Sequence, residues 1–185
     1  MPQVLCALDL HKADDLVNRM VMDTITSHLG LTGNGFWMLM TLARDTRPVY
    51  ITGTSALSVP FYTTRGIKQG CPASPLLFAL LLAGLEKRLL RLHPTSLGHV
   101  GPTPHALVSY ADDIKLFIRS AHGMQQLLTA VSYYVSHLGL ALDWEKTKVL
   151  FLRVCALPSC FTALGQTLKV VQELKFLGTM VSAWG

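Results

Sequence analysis

LVSYADDIKLFI, residues 107–118, holds two adjacent aspartates between two short apolar runs, with a tyrosine just ahead of them. Aspartate favours turns, and the flanks are rich in Val, Ile, Leu and Phe. The stretch therefore predicts a β-hairpin with Tyr110-Ala111-Asp112-Asp113 at its tip. A tip needs one residue that tolerates turn dihedrals, not two carboxylates side by side. For an isolated Asp-Asp pair an exposed turn is explanation enough. This pair has company along the chain.

Upstream, VLCALDL (4–10) is a short apolar run suited to a buried strand, with Asp9 near its end. DLVNRMVMDTITSHLG (15–30) has helical spacing, aspartates at its start and Gly30 as a stop. GFWMLMTLARD (35–45) predicts a second helix, and VYITG (49–53) with VPFYT (59–63) a strand pair. Within TTRGIKQGCPASPLLFALLLAGLEKRLLRL (63–92), Ser74 is the expected N-cap and Pro75 the first helical position of a buried helix. HPTSLGHVGPTPH (93–105) reads as a loop.

Downstream, GMQQLLTAVSYYVSHLG (123–139) puts Met124, Leu127, Leu128, Val131, Tyr134, Val135 and Leu138 on one helical stripe, ended by Gly139. KVLFLRV (148–154) is a strand, and LKVVQELKFLGTMVS (168–182) a last hairpin. Helices and strands interleave, yet several strands belong to hairpins. The expected class is α+β, one domain over 1–185, with an antiparallel sheet and helices on one face.

The 185 residues are 50% apolar and only 15% charged, which excludes a disordered chain. Lys plus Arg (16) exceed Asp plus Glu (11), a balance compatible with a phosphate-bearing partner. Cys6, Cys71, Cys155 and Cys160 have no metal-site spacing and read as reduced, buried thiols. The longest apolar run, PLLFALLLAGL (75–85), is too short to span a bilayer, and the start shows no signal-peptide pattern. An intracellular protein with no membrane partner is expected. No GxxxxGK[ST] phosphate loop occurs, which argues against an ATPase.

If the first strand pairs with the Asp-Asp hairpin, Asp9, Asp112 and Asp113 meet at one sheet edge. Three carboxylates so placed repel one another and are stable as anions only when cations neutralise them. Such a set suits two Mg²⁺ ions, which take oxygen ligands and share them with substrate phosphates. Two such ions serve phosphoryl displacement.

LDLHKADDLV (8–17), RGIKQGCPASPLLF (65–78), YADD (110–113), GLALDWEKTKVL (139–150) and LKFLG (174–178) follow in order at plausible spacings. Together they resemble the successive palm motifs of reverse transcriptases, most closely those of non-LTR retrotransposons and group II introns. YADD alone is a weak signal; RGIKQGCPASPLLF is a strong one. The resemblance implies a polymerase palm acting as an RNA-directed DNA polymerase, with RNA template, DNA primer and deoxynucleoside triphosphates as partners. It implies that Asp9, Asp112 and Asp113 hold two Mg²⁺ ions (or Mn²⁺), and that the backbone carbonyl of Leu10 completes one metal shell. Gln69 and Gly70 would line the nascent base pair, and Lys146 would protonate pyrophosphate as general acid. Tyr110 would support the hairpin tip, and LKFLG would grip the primer strand. A nuclear setting follows if the element is eukaryotic.

The chain departs from the family at three positions. Asp14 stands where a bulky Phe or Tyr usually excludes the ribose 2′-hydroxyl, and an aspartate there accepts hydrogen bonds instead. Cys71 stands where Asp is common and Asp143 where Asn is common. Only eight residues precede Asp9 and almost nothing follows LKFLG, so fingers and thumb are expected to be largely missing. The chain resembles a palm cut from a longer parent protein. The alternative expectation is a catalytically inactive retroelement remnant or interaction module.

Overall fold

The computed structural model describes residues 3–43, 58–60, 62–100, 103–105, 107–110, 112–153, 160–176 and 178–184. Most of the strand pair expected over 49–63 lies outside them, as do Ala111, Leu177 and Cys155. In chain order the elements are β1 (Gln3–Leu8), α1 (Ala13–Leu16), α2 (Arg19–His28), α3 (Asn34–Ala43) and α4 (Ser74–Leu92). There follow β2 (Gly98–Val100), β3 (Thr103–His105), β4 (Leu107–Tyr110), β5 (Asp113–Ile118) and α5 (Ala121–His137). The last are β6 (Lys148–Leu152), β7 (Cys160–Ala163), β8 (Gln166–Val170), β9 (Glu173–Phe176) and β10 (Thr179–Ser182).

Six strands form one sheet in the order β4-β5-β1-β6-β8-β7. Its pairs are antiparallel except β6 with β8, a parallel pair absent from the expected pattern. β1 lies between β5 and β6, so both its edges are paired, and it is apolar nearly throughout because its side chains enter a core cluster on each face. Val4, Cys6 and Leu8 point to one side with Ile114, Leu116 and Ile118, where they join Leu81, Leu85, Leu127 and Val131 of α4 and α5. Leu5 and Ala7 point to the other, where Leu150, Leu174 and Ala183 form a smaller cluster. The β9–β10 hairpin covers that second face, with Leu174 and Val181 opposite each other. One face of the sheet thus belongs to helices. The other is covered at one end only.

Local chemistry explains where the elements differ from expectation. The helix expected over 15–30 is broken in two, because Val17 and Asn18 are extended and the Asn18 side chain accepts from the amides of Met20 and Val21 to cap α2. The Asn18 amide itself donates to Leu138 O at 3.2 Å, tying this break to the end of α5. Ser74 is inside α4 and is not its N-cap; Ala73 takes that place, and Ser74 Oγ donates to Lys68 O at 2.7 Å. Residues 93–105 are not simply a loop, since β2 and β3 pair within them and Leu97 bridges Ile118. At the C-terminal end the expected single hairpin is two: β7–β8 extends the main sheet, and β9–β10 stands apart.

Burial pushes the Cys6 thiol up to about 12, an inert core group. Cys71 is half-buried, and Cys160 is exposed, contrary to the expectation that these thiols are buried. Among the described residues no helix is long and apolar enough to cross a membrane.

Candidate active site

Strand register builds the site. Leu8, the last residue of β1, faces Ile114, and Tyr110 faces Asp113 across a hairpin tip of two residues. Asp9 is one step past Leu8, which brings it level with Asp113 on the neighbouring strand. Alternation along each strand puts both on the face of Leu5 and Ala7, away from α4 and α5. They line a single open cleft of about 160 Å³ together with Lys115, Lys146, Lys148 and Lys175.

Each carboxylate in the cleft has an ammonium partner. Lys115 Nζ donates to Asp113 Oδ1. Lys146 Nζ lies 3.3 Å from Asp9 Oδ2 and 3.3 Å from Asp143 Oδ2. The hydrogen bond to Asp143, then that to Asp9, holds the Lys146 ammonium above its ordinary range, so it is protonated at neutral pH. Asp143 is partly desolvated, which opposes ionisation. The backbone amide and ammonium of Lys146 outweigh this and lower its pKa.

Asp143, marked in the sequence only as standing where Asn is common, braces the site. Its amide donates to Asp9 O at 2.8 Å, its carboxylate accepts from the Lys146 amide at 3.2 Å, and its carbonyl accepts from Thr147 Oγ1 at 2.7 Å. The signal was present in DWEKTK: an aspartate three residues before a lysine forms a turn that returns the lysine to it. Lys115 was also missed. Its signal is a lysine set among the apolar residues of IKLFI, two positions after Asp113 and so on the same strand face.

Leu10 bridges Leu142, with the flanking bonds running from His11 N to Ala141 O and from Asp143 N to Asp9 O. In an antiparallel ladder this pattern turns the carbonyl of Leu10 away from residue 142, to the side of the β4–β5 hairpin. Two carboxylates and a backbone carbonyl at one strand end are hard oxygen donors, a set that fits Mg²⁺. The third expected ligand stands apart. Asp112 is exposed at the tip, and among the described residues no three Asp, Glu, His or Cys side chains gather closely enough to hold a metal ion. Tyr110 is exposed as well, paired with Asp113 through the backbone.

Asp112 acts on Asp14. Burial, then the charges of Asp112 and Asp15, lift the Asp14 carboxyl above its ordinary 3.8. A raised folded-state pKa favours folding fully below 3.8, and the advantage is lost as pH rises through the raised value. Asp14→Asn, which never ionises, should therefore melt above wild type at pH 7. The gap should close as pH is lowered towards 3.8 in a series of thermal melts. Equal melting temperatures at pH 7 would contradict this electrostatic strain.

Gln69 Nε2 donates to Asp15 Oδ1 at 3.3 Å and lines a second cleft of about 600 Å³ with Arg19, Arg65 and Lys68. The loop carrying it is bolted to α1 and α2. Ile67 N donates to Asp14 O at 2.8 Å, Gly66 N to Val17 O at 2.9 Å, and Arg19 Nε to Gly66 O at 2.8 Å. Gly70 has φ +77° with open space where a Cβ would stand.

The family described as "Reverse transcriptase (RNA-dependent DNA polymerase)" matches residues 2–181. The chain belongs to the reverse transcriptase family. This reverse transcriptase chain is 30% identical over 190 residues to the "Retrovirus-related Pol polyprotein from type-2 retrotransposable element R2DM" of Drosophila melanogaster. The match covers 96% of this chain and 17% of that protein. It is 29% identical over 132 residues to the "Transposon TX1 uncharacterized 149 kDa protein" of Xenopus laevis, covering 69% of this chain and 10% of that one. Its relatives place it with the non-LTR type. A telomerase from Candida tropicalis, solved with a TWJ fragment of telomeric RNA, shares the fold over 98% of this chain and 29% of its own, with a TM-score of 0.68 at 10% identity. The α+β palm expected of a reverse transcriptase is the fold found.

Proposed function

We propose that this chain is the catalytic palm of a retroelement RNA-directed DNA polymerase, adding deoxynucleotides to a primer 3′-hydroxyl on an RNA template. The reading takes 1–185 as one domain completed by fingers and thumb of a longer parent, working in the nucleus where the element is eukaryotic. One observation carries it: Asp9 and Asp113 stand level at the ends of neighbouring strands, on the sheet face free of helices.

Asp9, Asp113 and the carbonyl of Leu10 would hold the Mg²⁺ or Mn²⁺ ions, with Asp112 exposed at the adjoining hairpin tip. Bound there, a pair of such ions stabilises the attacking and leaving oxygens of an in-line displacement. The chain's own groups supply the rest. Lys146 Nζ, kept protonated by Asp143 and Asp9, delivers a proton to the departing pyrophosphate. Gln69 and Gly70 border the nascent base pair, Gly70 because its backbone can approach a nucleotide closely. The β9–β10 hairpin lies against the primer strand.

The test is primer extension on an RNA template with Mg²⁺ or Mn²⁺, comparing wild type with Asp9→Asn. Extension by wild type alone supports the reading. A wild-type chain that binds Mn²⁺ and primer–template yet extends nothing points to the inactive remnant instead.

Asp14 should shape sugar choice within the same assay. A carboxylate beside the ribose accepts a hydrogen bond from a 2′-hydroxyl, whereas an aromatic ring excludes it. Wild type should discriminate against ribonucleotides less than Asp14→Phe does, by at least about tenfold if one charged hydrogen bond of roughly 1.5–3 kcal/mol is exchanged for a clash. Equal discrimination by the two proteins removes Asp14 from this role.

A further inference from the structure

We propose that Lys115 is a built-in counter-ion for Asp113, one that competes with divalent cations and sets the concentration at which they occupy the cleft. The inference rests on Asp9 and Asp113 being metal-binding carboxylates, and it concerns a residue outside that set.

Lys115 stands two residues after Asp113 on β5, so both side chains leave the same face of the strand. Its cross-strand neighbour is Ala7, whose partner on the far side is Lys148. The small side chain of Ala7 beside it leaves the long lysine stem room to lie over the sheet towards Asp113. Only 4% of Lys115 is exposed. A buried ammonium is stable only when paired, and the partner here is Asp113 Oδ1.

The two ammonium groups at the carboxylates differ in freedom. Lys146 is largely exposed and can leave Asp9 for water. Lys115 is almost wholly enclosed and has Asp113 as its carboxylate partner. A cation arriving at Asp113 therefore meets a fixed positive charge at contact distance, where screening by water is least effective. Lys148 and Lys175 add to the positive field of the same cleft. A lysine that merely fastened the hairpin would affect stability without affecting cation affinity.

The experiment measures Mn²⁺ binding to the full chain, without nucleotide or nucleic acid, by the loss of the free-ion EPR signal. Wild type, Lys115→Met and Asp9→Asn are compared after circular dichroism has verified folding. Lys115→Met should reach half-occupancy at a Mn²⁺ concentration at least fivefold below wild type, and Asp9→Asn should bind more weakly. A smaller shift, with Asp9→Asn still weakening binding, overturns the counter-ion role and leaves the metal site standing. Binding that is absent, or indifferent to Asp9→Asn, overturns both. Should Lys115→Met fail to fold, Lys115→Gln keeps a neutral donor for Asp113 and is read by the same criterion.

Discussion

Asp9→Asn should abolish primer extension while leaving the fold intact. The substitution keeps the shape of the side chain and removes its charge, and charge is what a hard divalent cation requires of this residue. Stabilisation of a phosphoryl-transfer transition state by bound metal amounts to several kcal/mol. Each 1.36 kcal/mol is a factor of ten in rate, so extension should fall by at least about a hundredfold. The fold loses little. Asp9 follows the last paired residue of β1, and the bond that anchors it, from Asp143 N at 2.8 Å, uses its backbone carbonyl. Its side-chain partner Lys146 is largely exposed, and exposed ion pairs contribute little to stability. Extension rates and thermal melts measured on the same preparations decide the matter. A variant with extension within tenfold of wild type would remove Asp9 from the chemistry.

Gly66→Ala should be the most damaging single-methyl change in the RGIKQG loop. Gly66 has φ +85°, and a Cβ there would lie 2.7 Å from Asp14 O and 2.8 Å from Asp15 O. Both contacts are backbone atoms of α1, so no flexible side chain can yield. The left-handed conformation alone costs an alanine roughly 1–2 kcal/mol, and the clash adds to it. A loss of at least about 2 kcal/mol lowers the melting temperature of a chain this size by roughly 4 °C or more. Gly70→Ala is the control, because φ is +77° there but nothing lies within 4 Å. It should bear the dihedral penalty alone. If the two variants melt together, the contact with α1 is not tight in solution. The same contact seats the loop that carries Gln69 on α1, so Gly66→Ala should loosen that seat where Gly70→Ala leaves it intact.

Much of this architecture is legible locally. The stripe from Met124 to Leu138 predicts α5 because an apolar residue recurs every three or four positions, and its members Met124, Leu127, Leu128, Val131 and Val135 are buried in that helix, with Tyr134 half-buried. YADD predicts a tight tip because aspartate favours turns and short apolar runs flank it, and β4 and β5 pair up to that tip. Other features are settled by partners distant in sequence. The break at Asn18 looks helical by period, yet its amide is taken by Leu138 O at the end of α5. Residues 93–105 carry Gly and Pro and read as loop. Two short strands form there nonetheless, and neighbouring Leu97 bridges Ile118.

The candidate site divides in the same way. Asp9, Asp113, Lys146, Gln69 and Gly70 are singled out by the resemblance of their motifs to those of reverse transcriptases, whereas the hairpin tip that carries Asp113 is legible from the turn chemistry of a few consecutive residues. Only the folded chain decides that Asp9 and Asp113 are level, that the charge of Asp112 reaches Asp14, that Lys115 lines the cleft and that Asp143 braces Lys146 beside it. Those facts depend on the register between β1 and β5 and on which sheet face the helices cover. A one-residue slip would reverse both faces of the strand without altering a single local preference.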